Sequence, residues 1–148
     1  FLATWTVPYQ PGILKAVGFS KGQPGPTSEL VSAARPTQIK LTPDRSRIVA
    51  DGQDLSYVTV ELTDERGTRN PEANNTINFS VSGPGSIVAV ANANPVSTES
   101  YQQPKRKAWQ GRCLVIVKAN QQPGQIKLVA ASAGLRSVTA VIESVGRR

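Results

Sequence analysis

Apolar residues recur at every second position through most of this chain, and each run ends in turn-forming residues. That is the pattern of strands with one buried face. In LSYVTVELTD (55–64), Val58, Val60 and Leu62 fall on one face and Thr59, Glu61 and Thr63 on the other. NTINFSVSG (75–83) sets Ile77, Phe79 and Val81 against Asn78, Ser80 and Ser82. GQIKLVAAS (124–132) buries Ile126, Leu128 and Ala130; LRSVTAVIES (135–144) buries Val138, Ala140 and Ile142; TQIKLTP (37–43) offers Ile39 and Leu41. No window carries the helical spacing i, i+3, i+4, i+7 over three turns. SIVAVAN (86–92) and CLVIVKAN (113–120) are nearly continuous apolar runs. They suit strands covered on both faces or lying at a domain contact.

Turn signals separate the runs: Pro43-Asp44, Asp51-Gly52, Glu65-Arg66-Gly67, Gly83-Pro84-Gly85, Pro123-Gly124 and Gly134. About eight strands are expected between Arg35 and Glu143, the size of an immunoglobulin-like domain. The expected fold class is all-β, an immunoglobulin-like antiparallel β-sandwich without the Cys…Trp…Cys trio of antibody domains. The chain has 148 residues, enough to bury a core without disulfides. The first 35 residues differ. TWTVPY, ILKAVGF and SELVSAA read as three strands, too few to close a sandwich. They either pair with the main domain or end a truncated one. The expected division is 1–35 and 36–148, with Pro36 in ARPT (34–37) breaking the ladder.

Several chemistries are excluded by composition. There is no His and one Cys, so imidazole triads, His–Cys pairs, the usual zinc sites and an intramolecular disulfide are out. No phosphate-binding glycine loop is present. Of the carboxylates, Asp44, Asp51, Asp54, Asp64, Glu65 and Glu72 sit at turns, where such side chains bond local backbone N–H groups. Glu61 and Glu143 fall on outward strand positions. Neither a catalytic acid pair nor a calcium cradle is expected, and no cofactor or metal. The apolar runs are too short for a transmembrane segment. The chain has no Met, which reads as a processed or excised piece, and FLATWTVPY lacks the apolar core of a signal peptide.

The segment YQQPKRKAWQGRC (101–113) gathers Lys105, Arg106, Lys107 and Arg112 between Tyr101 and Trp109. Basic groups interleaved with rings can bind nucleic acid, but that needs a continuous basic stripe, and the other cations of this +7 chain are scattered. No nucleic-acid partner is expected. Three readings stay open for Trp109: a ring packed onto the sandwich beneath a solvated basic rim, a sugar platform, or a contact with neighbouring domains. Tyr101, Lys105 and Arg106 would share the latter two. Trp5 reads as a ring at the junction between two sandwiches, or as a second carbohydrate contact.

WTVPYQPGILKAVGF resembles the end of an immunoglobulin-like domain in bacterial β-galactosidases of glycoside hydrolase family 2. KLTPDRSRIVADGQDLSYVTVELTDERG, NFSVSGPGSIVAV, KRKAWQGRCLVIV and GQIKLVAASAGLRSVTAVI follow in the order of that family's C-terminal domain. ADGQDLSYVTVE is also similar to invasin-like adhesin repeats. The resemblance covers residues 4–143 and implies a parent with a sugar-binding jelly roll and a (β/α) barrel. The family's two catalytic Glu residues lie in the barrel, so none is carried over. This chain departs from relatives at KRKAWQG, where they read SRKAFNG, and at NANPVSTE (92–99), where Thr98 replaces an expected His. The implied function is a non-catalytic C-terminal module of a β-galactosidase-like enzyme, with the parent's other domains as partners. The alternatives are a carbohydrate or cell-surface binding module and an adhesin-type repeat. The exposed edge of the first strands implies self-association, and the family implies a periplasmic or cell-surface location.

Overall fold

The computed structural model describes residues 2–147, and among them are eleven strands and no helix. The chain divides into two compact units, one ending at Ser32 and one starting at Ala33. The first is a hairpin of β1 (Ile13–Ser20) and β2 (Gln23–Val31). Lys21 and Gly22 link them with φ of 51° and 78°, the paired positive angles whose twist matches a two-residue hairpin. Across it Leu14 faces Leu30, and Lys15 meets Glu29 at 2.8 Å.

Two expectations for this unit fail. TWTVPY has no ladder partner among the described residues and forms no strand. The strand expected at SELVSAA instead starts at Gln23 and runs through Pro24 and Pro26. Proline lacks an N–H yet is tolerated in a strand whose outer edge is unpaired. The unit leaves Trp5, Tyr9, Phe19 and Leu30 exposed, and a two-stranded hairpin is marginal by itself in water.

The second unit is a sandwich. One sheet orders β4 (Arg47–Val49), β11 (Val138–Val145), β10 (Gly124–Ala131), β6 (Thr76–Ser82) and β8 (Lys105–Lys107). The other orders β3 (Gln38–Pro43), β5 (Leu55–Thr63), β9 (Arg112–Ala119) and β7 (Gly85–Ala91). Their inner faces meet through the residues that the alternation marks. Val58, Val60, Leu62, Val115 and Val117 come from one sheet, and Ile77, Ile126, Leu128 and Ile142 from the other, all fully buried.

The sandwich is not wholly antiparallel, because β4 pairs in parallel with β11. The three-residue strands β4 and β8 escaped the sequence pattern, since alternation needs about four residues to register. Thr63, expected outward, is buried: Gln38 pairs with it and Arg69 bridges to it. The SGPGS turn between β6 and β7 is set by Gly83 at φ +91°, where an added Cβ would lie 2.1 Å from the Gln125 carbonyl.

Asp64 fixes the start of this unit. Its Oδ2 accepts the Ala34 N–H at 3.0 Å, and its Oδ1 accepts those of Arg66 and Thr68 at 3.0 and 2.9 Å. Asn70 Nδ2 donates to the Ala34 carbonyl at 2.9 Å. Residue 34 is thereby held from both sides. These N–H groups, Ala34 foremost, lower the Asp64 pKa below its ordinary value of 3.8.

Leu128→Ala should cost about 2–5 kcal/mol in chemical denaturation, through lost transfer energy and a cavity. Gly83→Ala should also destabilise, since neither its backbone angle nor its contact tolerates a methyl group. A depressed carboxylate pKa stabilises above the unfolded value and loses that stabilisation as pH falls through the folded one. The stability gap between wild type and Asp64→Asn should therefore narrow below about pH 4. A gap that stays constant down to acid unfolding contradicts the role given to Asp64.

Candidate functional site

The basic loop folds around Arg106, which is fully buried although its neighbours Lys105 and Lys107 are exposed. Strand alternation explains the difference. β8 pairs with β6, Arg106 opposite Ile77, so the middle residue points inward and the flanking lysines outward. Arg106 Nη1 donates to the Glu99 carbonyl at 3.0 Å, and Nη2 to Asn92 Oδ1 at 3.0 Å and Ser97 Oγ at 3.2 Å. The Glu99 carboxylate lies 3.8 Å from Nε, which has no hydrogen-bond acceptor of its own. The Tyr101 ring centroid stands 5.0 Å from the guanidinium carbon, within cation–π range. Asn92 Nδ2 donates to the Lys107 carbonyl at 2.7 Å. Residues 92–101 are thus wrapped onto one buried cation where β7 and β8, the edge strands of the two sheets, come together.

Arg106 therefore does not belong to a solvated basic rim. Asn92, Ser97 and Glu99 were not picked out as its partners. The only sequence signal for them was the turn chemistry of NANPVSTE.

Trp109 is placed by a separate device. The Trp109 and Arg112 backbones exchange hydrogen bonds at 2.8 and 3.0 Å around Gln110 and Gly111, with φ of 50° and 74°. A Cβ on Gly111 would lie 2.1 Å from the Asn70 carbonyl. The ring is half-exposed, 38% accessible. It lines an open groove of about 630 Å³ with Thr59, Arg69, Ala91, Asn92, Gln110, Arg112 and Leu114. Tyr101 lines a different hollow, with Ile87, Val88, Ala89 and Pro104. Trp5 is exposed in the first unit. So Tyr101 and Arg106 are brought together, while Trp109 has its own groove and Lys105 faces solvent.

The charged groups around Trp109 are already engaged. Glu61 receives Arg112 at 2.6 Å, Arg69 at 3.9 Å and Lys40 at 4.0 Å. Arg69 also donates to the Gln110 carbonyl. The turn carboxylates are committed too. Asp44 accepts the Tyr57 N–H at 2.7 Å, Asp51 those of Gln53 and Asp54 at 2.8 Å, and Asp54 that of Val49 at 2.8 Å and Arg45 at 2.8 Å. Backbone donors lower the pKa of Asp51 and Asp54. No cluster of three metal-ligating side chains occurs among the described residues. Cys113 is buried on the inner face of β9, and burial pushes its thiol up to about 12.

Arg106→Ala should cost about 2–5 kcal/mol, because it removes a large, fully buried side chain together with its ties to Glu99, Asn92 and Ser97; unchanged stability in urea contradicts the wrapped-loop account. Cys113 should resist thiol reagents in the native state. Its raised pKa leaves stability intact below the unfolded value of about 9 and removes it as pH climbs toward 12. Cys113→Ala should lose less stability than wild type over that range.

Residues 39–141 match the family described as the glycoside hydrolase family 2 C-terminal domain 5. The β-galactosidase BoGH2A of Bacteroides ovatus is 44% identical over 140 residues, which are 95% of this chain and 16% of that protein. A β-galactosidase of Thermoanaerobacter pseudethanolicus is 31% identical over 80% of this chain and 14% of its own length. A solved family 2 glycosyl hydrolase from Bacteroides cellulosilyticus superposes with a TM-score of 0.89 at 42% identity, over 96% of this chain and 18% of that one. The chain thus spans about a sixth of the length of the curated relatives it matches. Through its sandwich, and with close similarity running almost end to end, this chain belongs to the glycoside hydrolase family 2 C-terminal domain 5 family.

Proposed function

We propose that this chain is the non-catalytic C-terminal β-sandwich module of a β-galactosidase-like enzyme that hydrolyses terminal β-galactosides. Its work is to pack against the enzyme's other domains. One observation carries this reading: the similarity takes in 95% of this chain and only 16% of a β-galactosidase. The side chains support it. An acid pair for glycoside hydrolysis needs two free carboxyls roughly 5–10 Å apart around a sugar. Asp44, Asp51, Asp54 and Asp64 instead serve backbone N–H groups, and Glu61 serves three cations.

The hairpin of the first unit fits the last strands of a preceding immunoglobulin-like domain. Its apolar residues, Leu14, Phe19 and Leu30 among them, would be covered there. In the isolated chain that unpaired edge favours self-association. We place the parent in the periplasm or at the cell surface, as the family resemblance suggests.

The full polypeptide should release nitrophenol from nitrophenyl β-galactoside, and the 148-residue chain should not. Hydrolysis by the chain alone overturns the non-catalytic assignment. A full polypeptide active on the β-glucuronide and not on the β-galactoside overturns the substrate assignment.

A further inference from the structure

In a sandwich strand with one face on the core, the outward residues should be polar. The middle of the β3-β5-β9-β7 sheet breaks this rule. On β9, Leu114 and Ile116 point away from the core, between the buried Cys113, Val115 and Val117. Register makes three of their four neighbours apolar as well. Ile116 stands between Tyr57 of β5 and Ala89 of β7, and Leu114 between Thr59 and Ala91. Tyr57 is 42% exposed and Trp109 continues the surface past Leu114. An apolar centre three strands wide is thereby left partly in water. Its borders are charged: Lys40, Lys118 and Arg112 stand around it, against two carboxylates, Glu61, shared among three cations, and Asp44, which accepts the Tyr57 N–H. An apolar centre inside a polar rim is the anatomy of an interface.

We propose that this face, centred on Leu114 and Ile116, is where the module docks on another folded domain of the same polypeptide, through an apolar patch with an acidic rim. The inference rests on the reading of the chain as one module of a longer enzyme. Charge selects the occupant. A second copy would set the same positive rim against itself in a twofold contact. A sugar needs hydrogen-bonding side chains free to meet its hydroxyls. Arg112 and Arg69 are held by Glu61, Asn92 is held by Arg106 and the Lys107 carbonyl, and the row Tyr57, Ile116 and Ala89 offers a sugar a single hydroxyl.

The test is hydroxyl-radical footprinting with mass spectrometry, on the 148-residue chain and on the full polypeptide that carries it. Tyr57 and Trp109 should label readily in the chain and on the order of tenfold less in the full polypeptide, as burial in an interface core requires. Lys40→Glu with Lys118→Glu should restore labelling in the full polypeptide, since acidic partners would then be repelled. Equal labelling in both forms overturns the proposal. So does protection that survives both reversals, protection of the chain alone that grows with its concentration, or protection of the chain alone on adding galacto-oligosaccharides. Galactosidase activity of the same full-length sample reports separately on the enzyme assignment.

Discussion

The second unit depends on the inner face of β9. Its inner residues, Cys113, Val115, Val117 and Ala119, are buried against the opposing sheet and hold the two layers together. Its outer residues Leu114 and Ile116 add nothing to that core, yet they occupy the centre of the sheet, between β5 and β7. A strand needed only for the sandwich would carry polar residues there, as β6 does with Asn78, Ser80 and Ser82. The two faces therefore serve different purposes. One folds the module, and the other is the face proposed for docking.

Arg106 shows the opposite economy, a charge where a core residue would serve. It sits at the margin where the edge strands β7 and β8 meet, and it gathers the loop of residues 92–101 around one guanidinium. Burying a cation is costly, and neighbouring acceptors repay it only when the geometry is good. Here two carbonyl-type oxygens, a hydroxyl, a carboxylate and a ring face do so. The loop is in this way a cover on the sandwich margin, with the Tyr101 ring against the same guanidinium.

Much of this was legible in the sequence. The inner faces of β5, β6 and β10 follow directly from alternation, because burial on one face is what alternation encodes. Resemblance supplied the family. What stayed hidden was whatever depends on partners distant in sequence. TWTVPY alternates like a strand but finds no ladder partner among the described residues. Arg106 looked like part of a surface run because the pattern of its segment, three residues long, is too short to show which way it points. The continuous apolar runs of β7 and β9 suit strands covered on both faces or a domain contact, and within the second unit the outward residues of β9 are only part-buried.

The claim that the two faces of β9 have separate roles meets its most direct test in calorimetry of Leu114→Thr with Ile116→Thr. Threonine keeps the branched shape a strand favours and removes the apolar outer surface. The account predicts that the melting temperature of the 148-residue chain shifts by no more than about 2 °C, as for a surface substitution. The transition of the same unit within the full polypeptide should fall clearly further. An equal fall in both would make the outer face part of the sandwich's own stability, and no fall in either would leave it without a partner; each result contradicts the account.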